Sequence, residues 1–347
     1  MLNYLRSLVR NRWVRCATAT LLVVAVVLVV TTIVGNTYRG LREREVSIPV
    51  TGGTLSGVLA LPADAEQPVG VIVFLHGDGP MEATDDGFYR PIWEALAAAG
   101  YASLSWSKPG VGGSSGNWLE QSLHDRAVEA GQAISWVRTQ PGVDGDRIGL
   151  WAASQGGWVF PQVANTVPRI RFAIAVSPAI NWLRQGRFNL LAELGREGAS
   201  PGRRAEAIAV SDRTRTLLRD GADYDEYLAN SGASQPMSRD RWTFVSKNFT
   251  ADATADLAAL GGRGIPVLLL LASNDRNVDI AETERVYREM LGGSVEVVHI
   301  AGANHSMART RVEDSELLGL CVGVLAPRKV FAPGSLTAQT DFVRSRG

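Results

Sequence analysis

The run at residues 147–158 constrains the fold of this chain more than any other segment. It reads RIGLWAASQGGW, which is a short apolar strand, a tight turn of small residues and the start of a helix. A serine at such a turn, here Ser154, has its hydroxyl raised above the sheet, where a substrate carbonyl can reach it. Ala152 and Gly156, two residues to either side, are small enough for the strained turn. The run predicts a nucleophilic serine, although an N-cap serine followed by loop glycines fits the same letters.

A serine hydroxyl is a weak nucleophile at neutral pH and needs a base, which is usually a histidine. His305 lies in the loop after the alternating strand 295–300, and loops at the carboxyl ends of strands carry the chemistry of open α/β sheets. We therefore predict that His305 is the base. The other histidines fit structural or solvated positions: His76 with a hydrogen bond in its own loop, His124 in a helix and His299 within a strand.

The carboxylate that holds such an imidazole in the correct tautomer is predicted to be Asp275. It follows the apolar strand 267–272 and so also lies at the carboxyl end of a strand. Asp279 is the nearest competitor, but it adjoins the next helix and fits an N-cap, and a turn or N-cap role stays open for Asp275 as well. The order Ser154, Asp275, His305, each after a separate strand, differs from the orders in the two main protease folds that use this triad.

Acyl transfer also requires hydrogen-bond donors for the oxyanion that develops on the substrate. One predicted donor is the backbone N–H of Gln155, which follows the nucleophile. The other is the backbone N–H of Asp78, in the loop after the apolar run 69–75. Gly77 and Gly79 on either side of Asp78 leave the chain free to turn that amide toward the site.

With these segments the chain resembles bacterial α/β-hydrolases of the dienelactone hydrolase, serine aminopeptidase and acyl-peptidase-like group. The resemblance rests on residues 71–77, 108–116 and 147–157 and on the Asp275 and His305 loops, and it is thin between about 181 and 264. It implies an α/β-hydrolase fold and hydrolysis of an ester, thioester or amide, without selecting among them. Such families usually have an acidic residue and an arginine in the loop like 108–116. This chain has SWSK at 105–108, so a substrate contact from that loop is left open.

Composition and motifs argue against several other classes of function. The chain of 347 residues has 35 basic and 35 acidic side chains, which gives no reason to expect a nucleic-acid partner. Its two cysteines, Cys16 and Cys321, form no disulfide framework and are not expected to pair. The glycine-rich loop 108–116 lacks the Lys-Ser/Thr ending of a P-loop, so we expect no nucleotide. Neither a metal nor a cofactor is expected.

The N-terminal segment predicts a membrane anchor. Residues 16–34 contain no charged side chain, and 19 residues suffice to cross a bilayer. A cleaved signal peptide is the alternative, but the apolar segment is long and no Ala-x-Ala site follows it. Four arginines precede the segment and three follow it, which narrowly favours a cytoplasmic N-terminus and an enzyme on the extracytoplasmic side. The arginines are Arg6, Arg10, Arg12 and Arg15 before it and Arg39, Arg42 and Arg44 after it.

Strand and helix patterns alternate from residue 45 onward, which predicts an α/β fold with a mostly parallel sheet covered by helices on both faces. We predict an anchor at 1–37 with a polar connector over 38–44, and a hydrolase domain at 38–347. Helix-like segments at about 180–262 interrupt the alternation and predict a helical cap over the site. Its aromatic residues either line an acyl pocket or hold the cap together; they are Trp182, Phe188, Trp242 and Phe244.

The predicted function is that of a serine hydrolase acting on a small-molecule or peptide acyl substrate through an acyl-enzyme. Two alternatives remain from sequence: an acyltransferase with the same triad, and a membrane-tethered binding protein that keeps the fold without turnover. The binding protein is disfavoured because such chains usually lose a triad residue, and this chain has all three.

Overall fold

The computed structural model describes the backbone of residues 2–346 and the side chains of residues 17–346. Eight strands form one sheet, and among them β3, β7 and β8 have the bounds of the predicted runs 69–75, 267–272 and 295–300. The strands are β1 (Leu41–Val50), β2 (Gly53–Pro62), β3 (Val69–Leu75), β4 (Tyr101–Trp106), β5 (Val143–Ala153), β6 (Ile170–Val176), β7 (Val267–Ala272) and β8 (Val295–Ile300).

The sheet has the order β1-β2-β4-β3-β5-β6-β7-β8. The pairs β1–β2 and β2–β4 are antiparallel, and every later pair from β4 onward is parallel. The mostly parallel sheet predicted from the alternation is thus confirmed. One difference concerns residues 38–44, which were predicted to be a polar connector. β1 already begins at Leu41, because Leu41 to Arg44 pair with the end of β2.

Thirteen α-helices lie within the described residues. They are α1 (Leu2–Gly35), α2 (Arg90–Ala97), α3 (Leu123–Val137), α4 (Phe160–Thr166), α5 (Trp182–Arg196), α6 (Pro201–Arg219), α7 (Tyr224–Asn230), α8 (Arg239–Asn248), α9 (Thr254–Gly261), α10 (Ile280–Leu291), α11 (Thr310–Glu313), α12 (Glu316–Leu325) and α13 (Ser335–Arg344). Five of them, α5 to α9, stand between β6 and β7, and we call this group the inserted helices.

The alternation of side chains along the central strands explains the two-sided core. In β3, Val71, Val73 and Leu75 face a cluster that includes residues of α3, α4, α9 and α10. Ile72 and Phe74 face the opposite cluster, which includes residues of α2 and α13. Successive strand residues point to opposite faces, so a strand that is apolar throughout needs cover on both. The carboxyl ends of the parallel strands are therefore left as the edge on which polar loops can meet.

The N-terminal helix α1 has an apolar segment, Ala17–Gly35, that is long enough to cross a membrane and is not buried in the protein. A signal sequence shares these properties, so length and composition alone do not distinguish the two. Arg6, Arg10, Arg12, Arg15 and Cys16, on which the predictions of orientation and of cysteine pairing rest in part, lie outside the described side chains.

Candidate active site

The turn after β5 holds Ser154 in a strained conformation. Its φ is +50°, in the left-handed region that costs a residue with a side chain about 1 kcal/mol or more. A Cβ atom on Gly156 would lie 2.3 Å from the carbonyl oxygen of Leu75, so this position admits only glycine. A Cβ on Gly157 would lie 2.5 Å from the side chain of Pro178, so the backbone of Gly157 packs closely against Pro178. The following helix, α4, has Val159 as its N-cap residue, and Ser154 therefore has no capping role there.

His305 and Asp275 are in direct contact. Nδ1 of His305 lies 2.8 Å and 3.0 Å from the two carboxylate oxygens of Asp275. The Asp275 side chain is 0% exposed, and it also accepts hydrogen bonds from the backbone N–H groups of Asn277 and Val278. Burial raises the pKa of Asp275, but the hydrogen bond and charge of His305 and the N–H donors outweigh it, and the net pKa is lowered. Asp275 is therefore ionised at neutral pH, and Nε2 is the imidazole nitrogen left for another partner.

Asp279, His299 and His124, which were weighed against this pair from the sequence, have other hydrogen-bond partners. Asp279 is the N-cap of α10 and accepts hydrogen bonds from the N–H groups of Ala281 and Glu282. His299 contacts Glu284 at 2.7 Å on the edge of the sheet, and His124 contacts Gln162 at 3.3 Å. These contacts are on the protein surface, away from Ser154.

His76 differs from the prediction that it bonds within its own loop. Its Nε2 lies 2.6 Å from the carbonyl oxygen of Trp106, so that nitrogen carries the hydrogen, and Nδ1 lies 3.1 Å from the hydroxyl of Tyr89. Both partners come from other elements, because the imidazole points into the core instead of back along its loop. Burial, followed by the charge of Lys108, lowers the pKa of His76 to about 3. His76 is therefore neutral and structural.

Two buried cations support the loop that contains Asp78. Lys108 donates to the carbonyl oxygen of Gly77 at 2.6 Å. Arg126 donates to the carbonyl oxygen of His76 at 2.7 Å and to Oε1 of Gln155 at 2.5 Å. Burial, then the charge of Arg126, lowers the pKa of Lys108 well below its usual value, and burial also lowers the pKa of Arg126. No local pattern marks Arg126 as a supporting residue, because an arginine within a helix is usually solvated.

The side chains of Asp78 and Gln155 are joined to each other. Nε2 of Gln155 donates to Oδ1 of Asp78 at 3.1 Å. Arg241, from helix α8, donates to both carboxylate oxygens of Asp78, at 2.9 Å and 2.5 Å. Burial raises the pKa of Asp78, but the hydrogen bond and charge of Arg241 and then the charge of Lys108 lower it overall. The two residues predicted to donate to the oxyanion are thus held relative to one another, beneath the guanidinium of Arg241.

Ser154 opens into two cavities. One, of about 420 Å³, lies beneath the inserted helices, and Trp158, Trp182, Arg215 and Arg241 are among its lining residues. The other, of about 310 Å³, is lined by Ser154 and His305 and by apolar side chains; among them are Met81, Phe88, Ile92, Trp151, Val176 and Phe331. The serine and the imidazole therefore share one cavity, and the serine alone also faces the second.

The aromatic residues predicted for the cap divide between the two roles considered. Trp182 stacks on Trp158 with ring centroids 5.2 Å apart and lines the larger cavity. Trp242 and Phe244 are buried in a separate apolar cluster, which contains Trp118 and several residues of the inserted helices. They therefore hold the inserted helices together. Phe188 is half-buried and does not line either cavity beside Ser154.

Asp85 adds a titratable group to the wall of the smaller cavity. Burial, with the negative charges of Asp86 and Glu82, raises its pKa to about 6. Because this pKa is above the ordinary value, the native state favours the protonated form, and stability present at pH 4 is lost as the pH rises through 6. We expect Asp85→Asn to raise the Tm by a few degrees at pH 8 and to leave it unchanged at pH 4.

Thermal unfolding in detergent at the two pH values measures this effect. Asparagine tolerates the left-handed backbone of Asp85, where φ is +51°, so strain does not obscure the result. Asp86→Asn is the matched control, because Asp86 has the same φ but an exposed side chain. Its gain in Tm at pH 8 should be smaller than that of Asp85→Asn. A Tm gain for Asp85→Asn that is equal at pH 4 and pH 8 would contradict the assigned shift.

Comparison with known proteins shows that this chain is similar to hydrolases. The family model described as "Serine aminopeptidase, S33" matches residues 66–310, which is more than half of the chain. The curated thiohydrolase apmlB of Arthrinium phaeospermum is 25% identical over 253 residues, or 65% of this chain and 81% of that protein. Esterase FrsA of Pectobacterium atrosepticum is 31% identical over 104 residues, which cover 29% of this chain and only 24% of that protein.

Solved structures agree on the fold. An esterase of Pyrococcus furiosus superposes with a TM-score of 0.51 at 18% identity, over 84% of this chain and 92% of that one. Est1E of Butyrivibrio proteoclasticus, solved with ferulic acid bound, gives a TM-score of 0.54 at 16% identity, over 86% and 96% of the two chains. At this level of identity the likeness concerns the fold alone.

Proposed function

Since the chain belongs to the serine aminopeptidase S33 family of α/β-hydrolases and is a hydrolase, we propose that Ser154, His305 and Asp275 are its catalytic triad. The observation that carries this proposal is the His305–Asp275 contact at 2.8 Å beside a cavity that Ser154 also lines. The three residues follow three different strands of one sheet, β5, β7 and β8, at their carboxyl ends. This is where the fold class concentrates its chemistry.

In the proposed mechanism, Oγ of Ser154 attacks the acyl carbon of the substrate, and Nε2 of His305 takes the serine proton. Asp275 stabilises the imidazolium that forms. Collapse of the tetrahedral intermediate breaks the bond to the leaving group, which takes the proton from His305. Water then attacks the acyl-enzyme with His305 again as the base. The second tetrahedral intermediate breaks the bond between the acyl carbon and Oγ of Ser154, which takes the proton back from His305, and the acid product leaves. Each proton transfer involves the same nitrogen, and the scheme has no step that requires a metal or cofactor.

The backbone N–H groups of Asp78 and Gln155 are proposed to hold the oxyanion. Their side chains bond to each other at 3.1 Å, and Lys108 and Arg126 hold the backbone carbonyls before Asp78. Donors that are fixed before the reaction cost no reorganisation when negative charge develops. The positive charges of Arg126 and Arg241 add a favourable potential at the same place.

We propose an ester or thioester substrate in preference to the amino-terminal peptide suggested by the family's description. An aminopeptidase must receive an ammonium group near the nucleophile. Here the carboxylate of Asp78 is already occupied by Arg241, and Lys108 and Arg126 lie close behind it. The positive charges of Arg126 and Arg241 repel the ammonium group of such a substrate. The names of the curated relatives, an esterase and a thiohydrolase, agree with this choice.

The domain organisation predicted from sequence becomes part of the proposal. Residues 1–37 are proposed to be an uncleaved anchor and 38–347 the hydrolase, with the region at about 180–262 acting as a cap. The cap role is supported by the larger cavity, which Arg215 and Arg241 of the inserted helices line together with Ser154. A catalytic domain on the extracytoplasmic side stays part of this proposal.

A fluorophosphonate probe tests the nucleophile directly, because it reacts with an activated serine and needs no knowledge of the substrate. We expect the wild-type protein to be labelled and Ser154→Ala to show no labelling. Ser306→Ala is the matched control, since Ser306 lines the same cavity, next to His305, and its loss should leave labelling intact. Labelling that survives in Ser154→Ala would exclude Ser154 as the nucleophile.

A further inference from the structure

Helix α12 has apolar residues around nearly its whole circumference, and it does not pack into the core of the protein. Its sequence is ELLGLCVGVL, and none of its residues is buried. The exposed fractions of four of its side chains are large: Leu317 73%, Leu318 42%, Leu320 66% and Val324 44%. A surface helix of a water-soluble domain normally buries one apolar stripe and exposes a polar face. An exposed apolar surface of this kind marks a site of contact with a protein or a membrane.

The structure shows what lies next to this helix. The side chain of Asn36, directly after α1, donates to the carbonyl oxygen of Val324 at 2.7 Å. A Cβ atom on Gly35 would lie 2.4 Å from the carbonyl oxygen of Leu325, so the backbones of the two helix ends are in close contact. α12 therefore adjoins the end of the apolar segment Ala17–Gly35, where a membrane-spanning helix would leave the bilayer.

Arg328 fixes this junction to the catalytic domain. Its guanidinium donates to the carbonyl oxygens of Gly35 and Thr37, at 2.7 Å and 3.0 Å, and to both carboxylate oxygens of Glu94 in α2. The guanidinium also lies 4.4 Å from the centre of the Tyr38 ring. α1 is thus joined to the domain by several contacts at its end, so the domain has a defined orientation relative to the axis of α1.

A cavity lies between this junction and the active site. It has a volume of about 580 Å³ and is lined by Thr32 and Asn36 at the end of α1 and by Gly323 and Val324 of α12. Asp85, Phe88 and Phe331 line both this cavity and the smaller cavity of Ser154 and His305. These three side chains form a wall common to both cavities. A route from the end of α1 to the nucleophile would pass through this wall, between Phe88 and Phe331.

We propose that α12 lies in the interface of the bilayer that α1 spans, and that the cavity at their junction admits the acyl chain of a membrane-resident ester to Ser154. The substrate class in this statement rests on the proposed esterase function. At about 1.5 Å per residue, the ten residues of α12 are too short to cross a bilayer but can lie along its surface. A lipid ester would present its carbonyl near that surface, with its chain on the apolar side.

Cys321 provides a direct test, because it is an exposed cysteine within α12. In full-length protein carrying Cys16→Ala and reconstituted in phosphatidylcholine vesicles, Cys321 is labelled with a fluorophore that responds to polarity. We expect nitroxide-bearing lipids to quench this fluorophore at least severalfold more than aqueous iodide does. Quenching by iodide alone would overturn the proposal, and so would protection from both quenchers, since that would indicate cover by a protein.

A second test separates membrane contact from catalysis. We expect Leu317→Glu/Leu320→Glu to hydrolyse a long-chain ester embedded in the vesicles at least tenfold more slowly than wild type. Hydrolysis of a soluble short-chain nitrophenyl ester should be unchanged, because both side chains are largely exposed and line neither cavity beside Ser154. Leu228→Glu is the control, since Leu228 is a half-exposed leucine of α7 and its replacement should change neither rate.

The outcomes distinguish this proposal from the function on which it rests. Unchanged hydrolysis of the vesicle-embedded ester by Leu317→Glu/Leu320→Glu overturns the role of α12 while leaving the esterase intact. Absence of hydrolysis of both esters by the wild-type protein contradicts the esterase instead. In that case the quenching of the Cys321 fluorophore still decides whether α12 contacts the membrane.

Discussion

Asp275→Asn is expected to lower kcat by about 10⁴-fold, with little change in KM. The Asp275 side chain is fully buried and contacts Nδ1 of His305 with both oxygens. An amide in this place cannot stabilise the imidazolium, and its NH₂ group favours the tautomer with hydrogen on Nε2, which cannot accept the serine proton. Hydrolysis of a nitrophenyl ester measures the loss.

Asp279→Asn is the matched control for this change. Asp279 is also an aspartate after β7, but it caps α10, and asparagine caps a helix about as well as aspartate. Its replacement should leave kcat within about twofold of wild type. If instead Asp275→Asn retained most of its activity, Asp275 would not be the carboxylate of the triad. Adding Ser154→Ala to Asp275→Asn should cost little beyond Ser154→Ala alone, because residues that act as one unit are not additive.

Gly156→Ala is expected to destabilise the protein by about 3 kcal/mol and to lower kcat about 100-fold. The added Cβ would lie 2.3 Å from the carbonyl oxygen of Leu75. Leu75 is the last residue of β3, a central strand paired on both sides, so its backbone cannot move without disturbing the sheet. The strain is relieved instead by displacement of the turn that holds Ser154, which removes the nucleophile from its position. Urea unfolding and ester hydrolysis measure the two effects.

Gly202→Ala serves as the control for the Gly156 change. Gly202 lies in the first turn of α6, and a Cβ atom there meets nothing within 4 Å. Alanine is a better helix former than glycine, so this variant should be as stable as the wild type or slightly more stable. Equal stability of the Gly156 and Gly202 variants would show that the turn after β5 can move freely.

Much of the fold follows from local pattern, because each buried strand carries its own signal. The segment at 267–272 is uniformly apolar and bounded by polar loops, and it is β7 as predicted. Helix α10 begins directly after Asp279, which fits the predicted N-cap. Helices α9 and α11 to α13 were not predicted. They are short, with four to ten residues each, so an apolar pattern has little length in which to repeat.

The candidate site could be predicted only in part. Ser154 and Gln155 belong to a local motif, and Asp275 and His305 follow from their places after strands. The supporting residues Lys108, Arg126 and Arg241 have no such signal, because their contacts reach partners 29 to 163 positions away in the chain. A charged residue in a loop or helix is normally solvated, and only the tertiary structure reveals that these are not.

The ion pair between Arg241 and Asp78 joins the proposed cap to the proposed oxyanion site. Arg241 belongs to α8, whereas Asp78 belongs to the loop proposed to bind the oxyanion. If α8 moved away from the sheet, the carboxylate of Asp78 would lose the cation that neutralises it. A less neutralised carboxylate would oppose the negative charge of the transition state. The proposed cap would then contribute to catalysis through charge as well as through enclosure of the substrate.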